Sequence, residues 1–353
     1  MTAPPATRGT WVVRLPGVSG RLPARVLVTA AALVIIAVSF AVLALRYGDY
    51  PLTTAQVLTI LTGGGEEFDE MVVLEWRLPV AIAAVLFGAL LGVGGAIFQS
   101  LTRNPLGSPD VIGFDAGSYT AVVIVIVLLG HGSYWMLAGA SISGGLATAM
   151  AVYLLAYRRG VQGFRLIVVG IGVAAILGSV NAYLITRADI DDAMTVGFWG
   201  AGSIGRVSWA SLVPSAWCAL VLLLVAALLA PALRRLELGD DTAITLGTRV
   251  GRVRLALIVV GVATTALVTA VAGPIGFVAL VAPQLARRLS RSAGVSLLGA
   301  AAMGAALLAG AHLLSLLIAE IYQPVPVGLL TVCVGGLYLI WLLVKEARRE
   351  YQS

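Results

Sequence analysis

The most constraining feature of this 353-residue chain is Leu78–Phe98, LPVAIAAVLFGALLGVGGAIF, twenty-one residues without a charge. Wound as a helix, it is long enough to cross a hydrocarbon core of about 30 Å. Gly88, Gly92 and Gly95 recur at spacings of four and three, so small residues share one helix face. Such a face lets two membrane helices approach closely. A polar, proline-broken turn runs from Gln99 to Asp110, and apolar sequence then resumes. Bare polar backbone at membrane depth needs protein or water around it. The turn is therefore expected at the end of a span, against protein or a wet path.

The rest of the chain has the same character. It is 59% hydrophobic and 11% charged, where a soluble domain has about a quarter of its residues charged. The solvent expected is lipid. A formal net charge of +6 raises the question of nucleic acid. The arginines sit in short loops between apolar runs and form no continuous basic face, so no nucleic-acid partner is expected. Cys218 and Cys333 both lie inside apolar runs, which supports neither a disulfide framework nor a zinc site. The first apolar run begins near Val26 and is long enough to span by itself, so a cleavable signal peptide is not expected.

Ten spans are expected: 26–45, 78–98, 111–129, 135–157, 166–185, 209–229, 255–271, 276–285, 295–319 and 327–344. Residues 1–25 and 345–353 read as short tails on the cytoplasmic side. Thr53–Leu58 is expected to start a short interfacial helix, ahead of an acidic patch at Glu66–Glu70. Ser108-Pro109-Asp110 reads as the start of the third span, because proline loses no bond at the first helical turn and the acid favours the positive helix end. Arg158-Arg159-Gly160 closes the fourth span. Residues 193–205 are too short and glycine-rich to cross and are expected as a half-helix at the outer face. With both termini inside, nineteen of the 23 basic residues fall on the cytoplasmic side, as the positive-inside rule requires. The outer cations are then Arg46, Arg77, Arg187 and Arg206.

Energy has to come from elsewhere. The single lysine, Lys345, is followed by Glu346, so no Gly-Lys-Ser/Thr loop can hold nucleotide phosphates. Ionisable groups inside a bundle mark ion pathways, and the candidates at depth are Asp115 and His312. Asp115 reads as a helix N-terminal acid and His312 as a hydrogen-bonded packing residue. A separate partner ATPase is the economical expectation, with no cofactor, no metal and no catalytic residue in this chain.

The ordered set Arg77-Leu78-Pro79, Gly95-Ala96-Ile97-Phe98-Gln99, Asn104-Pro105-Leu106 and Pro109-Asp110-Val111-Ile112-Gly113 resembles the FecCD family of ABC importer permeases, which import iron-siderophores, haem and vitamin B12. Matching segments recur near residues 238, 273 and 325, so the resemblance covers nearly the whole chain. It implies an all-α polytopic bundle of the type II importer class, in the plasma membrane of a bacterium. The partners it implies are a cytoplasmic ATPase dimer, a second permease subunit (a paralogue or a second copy) and an extracytoplasmic binding protein.

The resemblance also assigns residues. Asn104 and Leu106 match the family's inner constriction; read alone, the segment is a helix-terminating turn, which Pro105 and Pro109 would give anyway. Gly239, Asp240, Asp241, Ala243, Leu246 and Gly247 lie in the segment matching the coupling loop, two short helices that seat in the ATPase. Read alone, it is a solvated loop. Arg77, Arg46 and Arg206 are the candidates for docking the binding protein, and each alone reads equally as an interface arginine that snorkels. In Ala282-Pro283-Gln284 glutamine stands where most relatives have histidine, which removes the case for a metal-binding imidazole. LTRNPLGSPDVIGFDAGSYT is similar to the ferric-enterobactin type of subunit and implies a catecholate or related siderophore, with haem and cobalamin as the alternatives.

Two readings come from other classes. An ion-coupled secondary transporter needs charge chemistry at mid-membrane. A serine hydrolase would need Ser141 or Ser143 beside His312, whereas serines on a glycine-rich helix are usually packing residues.

Overall fold

A computed structural model describes residues 10–15, 18–130, 134–157 and 163–350. The Arg158-Arg159-Gly160 stop after the fourth span and the extremities of both tails lie outside the described residues. The arm before the first span folds as an antiparallel ribbon, β1 (Thr10–Leu15) against β2 (Val18–Pro23). The rest is helical: α1 (Ala24–Ala44), α2 (Thr54–Leu61), α3 (Glu67–Glu70), α4 (Leu78–Thr102), α5 (Phe114–Leu129), α6 (Tyr134–Ala156) and α7 (Gly163–Arg187). Then come α8 (Ile190–Gly200), α9 (Trp209–Glu237), α10 (Asp240–Thr245), α11 (Val250–Ala272), α12 (Val278–Ser290), α13 (Leu297–Ala319) and α14 (Val327–Glu350).

A helix occupies the place of each expected span. Among the described residues, seven are long and apolar enough to cross a membrane, and two more are apolar but shorter. α12 has 13 residues, about 20 Å of helix, so it reaches only part of the way through.

Three boundaries differ from expectation, each for a physical reason. α3 continues through a π-helical stretch, Met71–Arg77, into α4, giving one helical run of 36 residues from Glu67 to Thr102. The acidic patch that reads as polar connection is thus the first turn of that run. Ser108-Pro109-Asp110 does not start α5. Gly113 takes φ +86°, and the residues before it close turns of their own, with Ile112 N donating to Ser108 O and Phe114 N to Pro109 O. α14 runs on to Glu350, through the start of the expected C-terminal tail. By contrast α2 starts where expected, with a capping box in which Thr53 and Gln56 satisfy each other's backbone N–H.

α4 is the axis of the bundle, and its glycines explain how neighbours come so close. A Cβ at Gly88 or Gly92 would overlap the backbone carbonyls of Gly304 and Ala300 on α13. One at Gly95 would overlap the carbonyl of Ala279 on α12. The shared small-residue face is therefore a backbone-to-backbone seam. Gly144 and Gly117 do the same between α6 and α5, whereas Gly139 on α6 faces open space. Beyond the seam, Phe87, Leu90 and Leu91 anchor the outer part of the core, and Phe98 meets Phe114 at 5.2 Å in the inner part.

Candidate functional site

One end of the bundle gathers the polar turn after α4, the α9–α10–α11 junction and the end of α12. α4 stops because Arg103 adopts the left-handed conformation, φ +52°, and Asn104 N reaches back to Gln99 O at 3.3 Å. Asn104 then folds the turn on itself: Leu106 N donates to Asn104 Oδ1 at 2.9 Å, and Gly107 N to Asn104 O at 2.9 Å. Leu106 is 37% exposed at the tip.

Two buried glutamines hold this turn to α12. Gln99 Nε2 donates to Leu280 O at 2.8 Å, and Gln284 Nε2 donates to Pro105 O at 2.8 Å. Gln284, which reads from sequence only as a missing imidazole, therefore fixes the Asn104–Leu106 turn. Asp110 is used in a way its position does not suggest. It accepts from Phe277 N at 2.9 Å, at the start of α12 rather than of α5. Asp115 does sit in the first turn of α5, buried, with the Thr269 hydroxyl at 3.4 Å.

Two more contacts hold the turn to the α9–α10 junction. The Ser100 hydroxyl donates to Glu237 Oε1 at 2.6 Å. Arg103 donates to Leu236 O at 3.0 Å and to Asp240 Oδ1 at 3.2 Å. Asp240 is itself held by Arg254 of α11, whose Nη2 lies 2.8 and 2.9 Å from its two carboxylate oxygens. Arg103 shares its left-handed conformation with Phe277 and with Arg291, the cap of α12. A non-glycine residue in the left-handed region costs on the order of 1–2 kcal/mol. An ion pair as exposed as Arg103–Asp240, 52% and 45%, returns about 1 kcal/mol or less.

The coupling candidates form one short helix, α10, rather than the two expected, because α9 extends helically to Glu237. Gly239 (φ +115°) and Gly247 (φ +77°) bracket it in conformations that favour glycine. Ala243 is buried against the α9 and α11 side chains, while Leu238, Ile244 and Leu246 are 65%, 59% and 51% exposed. Asp241 is exposed beside them. The outward face is thus apolar with an acid at its start. Behind the Asn104–Pro105 turn lies a polar cavity of about 330 Å³, lined in part by Arg103, Glu237, Gln284 and Arg287.

The opposite end collects the other candidates. Arg77 donates to the carbonyls of Leu45, Arg46 and Tyr50, closing the loop after α1. Its guanidinium is engaged in the fold, a role the Arg-Leu-Pro motif alone does not reveal. Arg46 is exposed and stacks on Tyr47 at 5.3 Å. Arg206 is exposed beside Gly205, which shares with Arg77, Tyr47 and His312 a cavity of about 260 Å³. Asp69, by hydrogen bond and by charge, holds the Tyr50 phenol above its ordinary value. His312 is buried, and no hydrogen bond to it is seen among the described residues. Ser143 is exposed, and its hydroxyl donates to Ala140 O of its own helix at 3.0 Å.

Residues 33–345 match the family described as the FecCD transport family. The chain is 47% identical over 326 residues to the ferric enterobactin transport system permease protein FepG of Escherichia coli (strain K12), covering 92% of this chain and 98% of that one. It is 33% identical to the hemin transport system permease protein HmuU of Yersinia pestis, covering 79% and 84%. Among solved structures, it superposes on a chain of a metal-chelate type ABC transporter in an inward-facing conformation with a TM-score of 0.77. That match is 25% identical and covers 90% of this chain and 98% of the other.

Proposed function

The chain belongs to the FecCD transport family, and from that premise we propose that it is the permease through which a catecholate-type ferric siderophore enters the cell, driven by a separate ATPase dimer. It is a multi-pass plasma-membrane permease of the ABC importer class. The observation that carries the substrate reading is the 47% identity with FepG across almost the full length of both chains. The match to the hemin permease is lower and shorter, so haem is the weaker reading.

The end bearing α10 is taken as cytoplasmic, since nineteen of 23 basic residues fall on that side. The exposed apolar face of α10, with Gly239, Asp240, Asp241, Ala243, Leu246 and Gly247 shaping it, is the proposed seat for the ATPase. Asn104 and Leu106 form the inner constriction together with their counterparts in a second permease subunit. Exposed Arg46 and Arg206 are the proposed contacts for acidic groups of an extracytoplasmic binding protein, and Arg77 holds the loop that presents Arg46. ATP binding closes the motor and moves α10, the two permease halves rock, and the path opens outward to a docked binding protein.

A deletion strain grown under iron limitation on single iron sources tests this. Loss of growth on ferric enterobactin or a related catecholate, with growth kept on hydroxamates and on haem, is expected. Loss confined to haem overturns the substrate reading.

A further inference from the structure

Resting on that reading, we propose that Arg103 is a positioning residue that clasps the Asn104–Leu106 turn to α10, so that displacement of α10 reaches the turn as a direct pull. The argument begins with connectivity. Arg103 immediately precedes Asn104, and its side chain is bonded to Leu236 O and to Asp240, the first residue of α10. Asp240 is in turn fixed by Arg254 of α11. One carboxylate therefore joins the polar turn to α10 and α11, with 137 positions between Arg103 and Asp240. Ser100–Glu237 runs alongside as a second link.

The opposing tethers run to α12. On the α12 side the turn is held at Pro105 O by the amide of Gln284, and at its far end the Asp110 carboxylate accepts from Phe277 N. Displacement of α10 therefore acts on the turn through Arg103, against the hold of Gln284 and Asp110. The cavity behind Asn104 and Pro105 gives the turn space to move into. A glycine would hold φ +52° without strain. Arginine is placed there instead, and its exposed ion pair does not offset the strain.

The test uses the whole importer, permease with its ATPase and binding protein, in proteoliposomes. Ferric enterobactin moved per ATP hydrolysed is compared for wild type, R103G, R103Q and R103K. R103G relaxes the backbone, so it is expected to assemble with the ATPase and to melt no lower than wild type. Its transport per ATP is expected to fall about five-fold or more, the size of a modest coupling free energy. R103Q is expected to fall similarly, which keeps the test decisive if R103G does not accumulate. R103K, which keeps the charge, is expected to retain most of the coupling. A wild-type ratio in R103G and R103Q overturns the clasp, and so does an R103K as uncoupled as R103Q. Wild-type complex that moves no siderophore with ATP overturns the functional reading beneath it.

Discussion

A methyl group on Gly95 would have to share space with the carbonyl oxygen of Ala279, and neither α4 nor α12 has slack there. Gly95→Ala is expected to destabilise the protein by about 1–3 kcal/mol, the usual cost of overpacking a tight core. Gly139→Ala, facing open space, is expected to stay within about 0.5 kcal/mol. Thermal unfolding of both variants in detergent checks the contrast. The glycine seam was legible because spacing alone puts Gly88, Gly92 and Gly95 on one face. That legibility has limits, since Gly139 looks the same in sequence and packs against nothing. Arg103 and Gln284 were not legible as holders of the Asn104 turn. A lone arginine in a short loop serves the charge bias equally well wherever it points. A glutamine reveals its bonds only once α12 is placed beside α4. Arg77 carried the reverse lesson: its motif was visible, but its engagement with three backbone carbonyls depends on where the loop after α1 comes to rest.

Whole helices were the most readable level, because a span is declared by twenty apolar residues and ended by charge, glycine or proline. The failures share one cause. Four acidic residues after three glycines read as a polar connection, yet Glu67–Glu70 winds into the same helical run as α4. A helix that emerges from lipid no longer needs apolar residues, so hydropathy cannot report its continuation. The same holds for the extension of α9 to Glu237. α10 carries the prediction proper to this level. Its exposed Ile244 and Leu246 are free of core packing, whereas Ala243 is buried. Leu246→Asp is expected to weaken co-purification with the ATPase at least about ten-fold, the scale of losing one interface anchor, while leaving the permease's melting temperature unchanged. Ala243→Leu is expected instead to lower that temperature, because the bulk would push α10 off α9 and α11.

At the scale of the molecule, contacts sort the connections into two opposite ends. Arg103–Asp240 and Ser100–Glu237 join connections at one end, and Arg77–Tyr50 and Trp209–Leu74 join connections at the other. Single cysteines report which end faces the cytoplasm, in a background with Cys218 and Cys333 replaced. A membrane-impermeant maleimide is expected to label Ile321→Cys in intact spheroplasts and Thr245→Cys only after lysis. The opposite pattern would reverse the orientation. Both positions are exposed, Ile321 at 90%. Alternating spans sort the connections into two sets in advance, but not the pairing of particular turns, which arises only when the helices are assembled. The placement of α4 has one more consequence. Nineteen of its 25 residues are buried, against seven of 29 in α9, so the bilayer meets chiefly the rim of the protein. Thinner or thicker membranes then act on the peripheral helices first, which can tilt to suit. The glycine-lined axle is sheltered from such adjustments, and the gearing between its two ends can stay constant as the surrounding lipid changes.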